Sequence, residues 1–114
     1  HQLNFCKWLK QTYPEIRFRS DVQSAGKLSA QMQNIMQILD PWKSWPDVQI
    51  YLPKGIFIGF HIEIKRIDSG SLSKSKHVQE QAEFHDWLRS IGYKVEFAEG
   101  CEEAKKVLES YLKS

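Results

Sequence analysis

The most constraining stretch of the chain is the run from Ile56 to Lys65. Ile56, Ile58, Phe60, Ile62 and Ile64 fall on one face; Phe57, Gly59, His61, Glu63 and Lys65 fall on the other. Period-two alternation over ten residues predicts a β-strand with its isoleucine face against a core. A strand needs partners. The preceding run supplies one: Val48, Ile50 and Leu52 alternate with Asp47, Gln49 and Tyr51. Pro53-Lys54-Gly55 between the runs is turn chemistry, so the two are expected to form a hairpin.

The rest of the chain fills in around this pair. Leu3, Cys6, Leu9 and Tyr13 recur at helical spacing before Pro14, which predicts a first helix over Leu3 to Tyr13. Glu15 to Arg19 alternates as a short strand, and Ser24 to Leu28 around Gly26 has turn composition. Ser29 to Leu39 reads as a second helix with Met32, Ile35, Met36 and Leu39 on one face. Pro41 to Pro46 is a break that carries Trp42 and Trp45. After a polar loop from Ile67 to Ser75, a helix is expected from about Lys76 to Ser90, stopped by Gly92. Lys94 to Ala98 is a short strand, and Cys101 to Leu112 a last helix with Ala104, Val107, Leu108 and Tyr111 inward. This order predicts an α/β fold, a mixed sheet flanked by helices.

Composition sets the outer bounds. At 114 residues the chain is expected to form one domain, residues 1–114. Its mass predicts a folded surface of about 6,500 Å² and burial of roughly two-thirds of the unfolded surface. The hydrophobic share of 41% against 26% charged residues excludes a disordered or collagen-like chain. Two cysteines, Cys6 and Cys101, cannot make a disulfide framework and are expected as reduced thiols. No run approaches the roughly 20 apolar residues of a membrane helix.

The polar face of the hairpin holds the candidate chemistry. Glu63 and Lys65 leave the same face of one strand, roughly 7 Å apart. A carboxylate beside an ammonium can pair a metal ligand with a group that polarises water. Taken alone, such a pair is more often a solvated ion pair. Pro46-Asp47 opens the partner strand, and the hairpin brings Asp47 close to Glu63. Two converging carboxylates make a hard-oxygen site suited to Mg²⁺ or Mn²⁺. On the following helix, Gln81, Phe84, Leu88 and Ile91 form one stripe, and Gln79, Glu83, Asp86 and Ser90 the opposite one. That phase turns Gln81 toward the sheet and Gln79 toward water, with His77 one turn before Gln81.

Pro46-Asp47, then Glu63-Ile64-Lys65, then Gln81 resembles the PD-(D/E)xK nuclease motif. The wider text, WPDVQIYLPKGIFIGFHIEIKR followed by HVQEQAEFHDWLRSIGYKVEFAEGCEEAKKVLESYL, resembles the virus-type replication-repair nuclease (VRR-NUC) family, particularly its stand-alone phage and prophage members. The resemblance extends over roughly residues 14 to 112. It implies a restriction-endonuclease-like core of α-β-β-β-α-β-α order. It further implies a metal-dependent DNA endonuclease, selective for branched DNA such as four-way junctions, working as a homodimer in the cytoplasm of a bacterial host. Asp47 and Glu63 would be the metal-binding carboxylates, and the Ile64 carbonyl a further ligand. Lys65 would orient or activate water, and Gln81 would match the glutamine of the helix after the catalytic strand. Members of the superfamily often carry an acidic residue on the first helix. Leu3 to Tyr13 contains none: either such a residue precedes His1, or the chain manages without it.

The net charge of +2 conceals local asymmetry. Lys65, Arg66, Lys74 and Lys76 against Asp68 leave residues 65–76 at +3, and residues 1–30 reach +3 with Arg19 among their cations. Arg66, Lys74, Lys76, His77 and Arg19 are therefore the candidate DNA contacts. For any single lysine an ordinary solvated loop is the commoner explanation, and for Trp8, Trp42, Trp45 and Trp87 core packing is a better default than base stacking. Two other functions fit the same text: a sequence-specific restriction-type nuclease, and a DNA-binding or assembly module without catalysis.

Overall fold

The computed structural model describes residues 1–21, 29–42, 44–66 and 76–114, with the side chains of 76–78 outside that description. The elements run α1 (Gln2–Thr12), β1 (Phe18–Ser20), α2 (Ala30–Leu39), β2 (Val48–Ile50), β3 (Gly59–Lys65), α3 (Lys76–Ser90), β4 (Tyr93–Glu99) and α4 (Gly100–Leu112). The four strands form one sheet in the order β1-β2-β3-β4. The first two pairings are antiparallel and β3–β4 is parallel. This is the mixed, helix-flanked α/β sheet that the pattern predicts, with α2 inserted between the first two strands.

The β2–β3 hairpin has Val48 opposite Ile62 and Ile50 opposite Phe60. Its connection closes through Lys54 and Phe57, whose N–H and C=O groups bond reciprocally at 2.9 and 3.0 Å. Gly55 takes φ 57° there, a left-handed turn conformation that glycine adopts without steric cost. β3 begins only at Gly59, later than the alternation implies. Ile56 is 89% exposed and Ile58 55%, so the apolar face starts at Phe60. The reason is the turn: Lys54 and Phe57 pair with each other, and although the Ile58 N–H donates to the Gly92 carbonyl at 2.9 Å, the strand register begins only at Gly59 opposite Tyr93. Gly59 also admits no side chain, since a Cβ would stand 2.8 Å from the Tyr93 ring.

One face of the sheet meets α1 and α4. Phe5 and Leu9 of α1, Val48, Ile50, Phe60, Ile62 and Ala98 of the strands, and Ala104, Leu108 and Tyr111 of α4 form the apolar core. The Tyr111 ring stacks on Phe60 at 4.5 Å, and its hydroxyl donates to the Leu52 carbonyl. Leu3, expected inward, is 66% exposed; the buried face of α1 is set by Phe5 and Leu9, which lie four residues apart. The other sheet face meets α3.

α2 departs most from expectation. Ser29 caps it, accepting from the Met32 N–H at 3.2 Å. Yet Met32, Ile35, Met36 and Leu39 are all exposed, and the helix has no buried residue. The folded surface, 8208 Å², exceeds the scaling estimate. The cysteines are free thiols, and no helix among the described residues is long and apolar enough to cross a membrane.

Candidate active site

Asp47 stands at the entry to β2, directly after the buried Pro46. Its backbone is held from the β1 side, its carbonyl accepting from the Asp21 N–H at 2.9 Å and the Ser20 hydroxyl at 3.2 Å. Gln2, in the first turn of α1, donates its amide to the Asp21 carbonyl at 2.9 Å and reaches the Asp47 carbonyl at 3.4 Å. The Asp47 side chain crosses to β3, where Oδ2 accepts from the Ile64 N–H at 2.8 Å. The carboxylate thus continues the β2–β3 ladder one step past the end of β2. In an antiparallel pair a residue's N–H and C=O leave by the same edge, so the Ile64 carbonyl also leaves toward Asp47.

Glu63 and Lys65 occupy the α3 face of β3, as the alternation predicts. Glu63 is 4% exposed and Gln81 7%. The Gln81 amide joins the pair: its Oε1 accepts from Lys65 Nζ at 3.0 Å, and its Nε2 lies 3.4 Å from Glu63 Oε1. This polarity is the chemically required one, since an ammonium only donates and a carboxylate only accepts. Lys65 Nζ also sits 5.5 Å over the Phe97 ring.

The two carboxyls crowd each other. Burial, then the contact with Glu63, pushes Asp47 from 3.8 up to about 7, against the lowering pull of the Ile64 N–H and Lys65. Burial likewise raises Glu63, with the charge of Asp21 adding to it. A buried pair that resists double ionisation is one that a divalent cation would stabilise. Asp47, Glu63 and the Ile64 carbonyl thus supply hard oxygen donors of the kind Mg²⁺ or Mn²⁺ prefers.

Two histidines, absent from the sequence-derived site, lie beneath it. His85 is fully buried, its Nε2 3.6 Å from Glu63 Oε1, too long for a hydrogen bond. Neither of its ring nitrogens has a hydrogen-bond partner, nor does Nδ1 of His61. Burial drives both imidazoles from 6.5 down to about 4, so both are neutral at pH 7. The signal for His85 was available: it lies four residues after Gln81, on the same helical stripe. Ile91, placed on that stripe by the sequence, is instead 46% exposed, because the buried line runs Gln81, His85, Leu88.

Among the other candidates, Arg19 is exposed on β1 opposite Gln49, and Arg66 is exposed just past β3. Lys74 lies outside the described residues, as do the side chains of Lys76 and His77. Asp21, which the sequence offers only as part of a charge sum, is near enough for its charge to raise Glu63, but no three His, Cys, Asp or Glu side chains among the described residues gather as a metal cluster.

No protein-family model matches the sequence, and no curated protein matches it. A solved structure described as a "VRR_NUC domain protein" has the same fold: the TM-score is 0.66 at 21% identity, covering 98% of this chain and 84% of that one. The chain therefore has the fold that its sequence resemblance implies, with the four proposed side chains gathered at one end of the hairpin.

Proposed function

We propose that this chain is a metal-dependent DNA nuclease of the VRR-NUC type, hydrolysing phosphodiester bonds at the Asp47–Glu63–Lys65–Gln81 site. The observation that carries the reading is the joint geometry of Asp47 on the Ile64 N–H and of Gln81 between Glu63 and Lys65. An isolated Glu-x-Lys pair on a strand needs neither.

Asp47, Glu63 and the Ile64 carbonyl would hold Mg²⁺ or Mn²⁺. The ion would lower the pKa of a bound water and neutralise non-bridging phosphate oxygens. The protein's own part is positional. The Ile64 N–H fixes one Asp47 oxygen and leaves the other toward Glu63. Gln81 fixes the Lys65 ammonium on the same face as Glu63. There it meets the charge that develops as the phosphate becomes pentacoordinate, in a place already built to receive it. Arg19 and Arg66 supply backbone-contacting cations on either side, with Lys74, Lys76 and His77 as further candidates. Cutting of branched DNA by a homodimer, in a bacterial cytoplasm and from a phage or prophage source, belongs to the same proposal. The exposed apolar face of α2 fits a second protomer.

The test is cleavage of linear, flapped and four-way DNA in Mg²⁺, Mn²⁺ or EDTA by the wild type and by Asp47→Ala, Glu63→Ala and Lys65→Ala. Metal-dependent cutting by the wild type alone is expected. Cutting that survives Glu63→Ala would sink the site, and tight DNA binding with no cutting under any metal would favour a binding module.

A further inference from the structure

Four aromatic side chains form a cleft beside this site. Trp42, Trp45, Phe84 and Trp87 line a hollow of about 420 Å³, within the range of small-ligand pockets of about 300–1,000 Å³. Its inner wall is fixed by packing. Trp45 lies nearly parallel to the His61 ring at 6.4 Å and meets Phe84 edge-on at 4.7 Å. Its outer walls face solvent: Trp42 is 65% exposed and Trp87 50%. The exposed faces of Trp42 and Trp87 thus lie together around one hollow rather than scattered singly.

The cleft and the site share their supports. Trp45 precedes Pro46 and Asp47; Phe84 lies one turn after Gln81; His61 stands two residues before Glu63 on β3. A second hollow of about 430 Å³ shares Trp42 and Trp45 with the first and continues past Arg19, Ser20 and Asp21 to Pro46. Its described lining reaches Pro46, the residue before Asp47, and not Asp47 itself. This second hollow carries one guanidinium, Arg19, against the two carboxylates of Asp21 and Asp40.

We propose that the aromatic cleft seats an unpaired nucleobase of the DNA whose neighbouring phosphate enters the Asp47–Glu63 site. The inference rests on the nuclease reading and adds a substrate feature: an unstacked nucleotide beside the cut. Every described lining residue offers a π-face, and base stacking on aromatic rings tolerates all four bases because each has such a face. A fully stacked duplex keeps its bases out of reach. Recognition would thus select nicked, looped or branched DNA without reading sequence.

The experiment measures binding by fluorescence anisotropy in Ca²⁺. Three DNAs are compared: one with a single unpaired thymine beside a stem, the same DNA abasic at that position, and the fully paired stem. Wild type, Trp42→Ala, Trp87→Ala and Trp87→Phe are used; both tryptophans are exposed enough for the fold to tolerate their loss. The expected result is wild-type preference for the unpaired thymine. Each alanine variant should lose that preference by roughly 5- to 100-fold and Trp87→Phe should regain most of it. Binding to the abasic and fully paired DNAs should stay unchanged. Equal binding of all three DNAs by the wild type, or alanine variants indistinguishable from it, would overturn the proposal. So would a fall in sedimenting mass for the alanine variants, which would make a second copy the occupant. The nuclease reading fails separately: if the wild type cuts nothing in Mg²⁺ or Mn²⁺ yet shows this pattern, the base seat stands and the catalysis does not.

Discussion

The two faces of the sheet are built on the same strands by the same alternation, and are filled with opposite chemistry. Toward α1 and α4 stand Val48, Ile50, Phe60 and Ile62, with no buried polar side chain among them. Toward α3, the residues between them on β3 are His61, Glu63 and Lys65, met by Gln81 and His85. The first face gains from removal of apolar area from water. The second buries two carboxyls whose pKa values burial raises and imidazole nitrogens with no partner, an arrangement that costs stability. The difference teaches where the fold's stability resides and where its function does. The aliphatic face holds the strands so firmly that the other face can carry groups a folding sequence would otherwise avoid.

The largest expected effect lies on the aliphatic face. Phe60→Ala removes a fully buried ring stacked on Tyr111, and should lower unfolding free energy by about 3–5 kcal/mol in urea titrations. A loss under about 1 kcal/mol would mean that this face is not where stability resides. Next is Lys65→Ala on the opposite face. It should reduce metal-dependent cleavage by roughly 100- to 1,000-fold, the scale of losing one preorganised charge-stabilising donor. Its thermal midpoint should stay close to that of the wild type, since Lys65 is only partly buried and touches no part of the apolar core. If Lys65→Ala melted as early as Phe60→Ala, the division between the faces would fail.

A third prediction separates the two kinds of titrating group on the α3 face. Folded His61 and His85 titrate near 4 rather than 6.5. Between those pH values the unfolded chain binds more protons than the folded one, so their contribution rises with pH. Asp47 does the reverse. Its folded value of about 7 stands above 3.8, so the folded state holds a proton the unfolded chain has lost, and its contribution falls as pH rises. In EDTA the two trends oppose each other in the wild type. Asp47→Asn deletes the falling one, so its urea midpoint should climb more steeply than the wild type's from pH 4.5 to 6.5. Parallel curves would show that Asp47 does not titrate as its burial beside Glu63 requires.

Much of this was legible in the sequence, for reasons that differ by residue. Period-two alternation placed Phe60 and Ile62 on one face and Glu63 and Lys65 on the other, because strand geometry leaves no alternative. The pairing of Asp47 with the end of β3 followed from the turn at Pro53-Lys54-Gly55. The inward phase of Gln81 followed from the apolar residues of its own helix. The burial of His85 did not, because histidine is neither reliably apolar nor reliably exposed, and the reading gave the stripe to Phe84 and Ile91. The cleft was equally hidden: four aromatic residues spread over 42–87 reveal no cavity until α3 and the Pro41–Pro46 segment are brought together. Ile56 and Ile58 misled because the alternation continues back into the Lys54–Phe57 turn, before the paired register begins at Gly59.

The smallest effect belongs to α2, a region with neither face's logic. Its amphipathic pattern is as regular as that of α1, but α1 meets α4 and the sheet, whereas no residue of α2 is buried. A helix in that position draws its stability from its own hydrogen bonds and caps rather than from the core. Ser29→Ala removes the side-chain acceptor of the Met32 N–H, worth about 0.5–2 kcal/mol to a helix. Because α2 contributes no buried side chain to the core, that loss should be spent locally, as faster amide exchange through Ala30–Leu39, with the global urea midpoint unmoved. A matching drop in the global midpoint would mean that α2 folds as one unit with the sheet, which would require that something cover Met32, Ile35 and Met36 in solution. Faster exchange that slows again as protein concentration rises would identify that cover as a second copy of the chain.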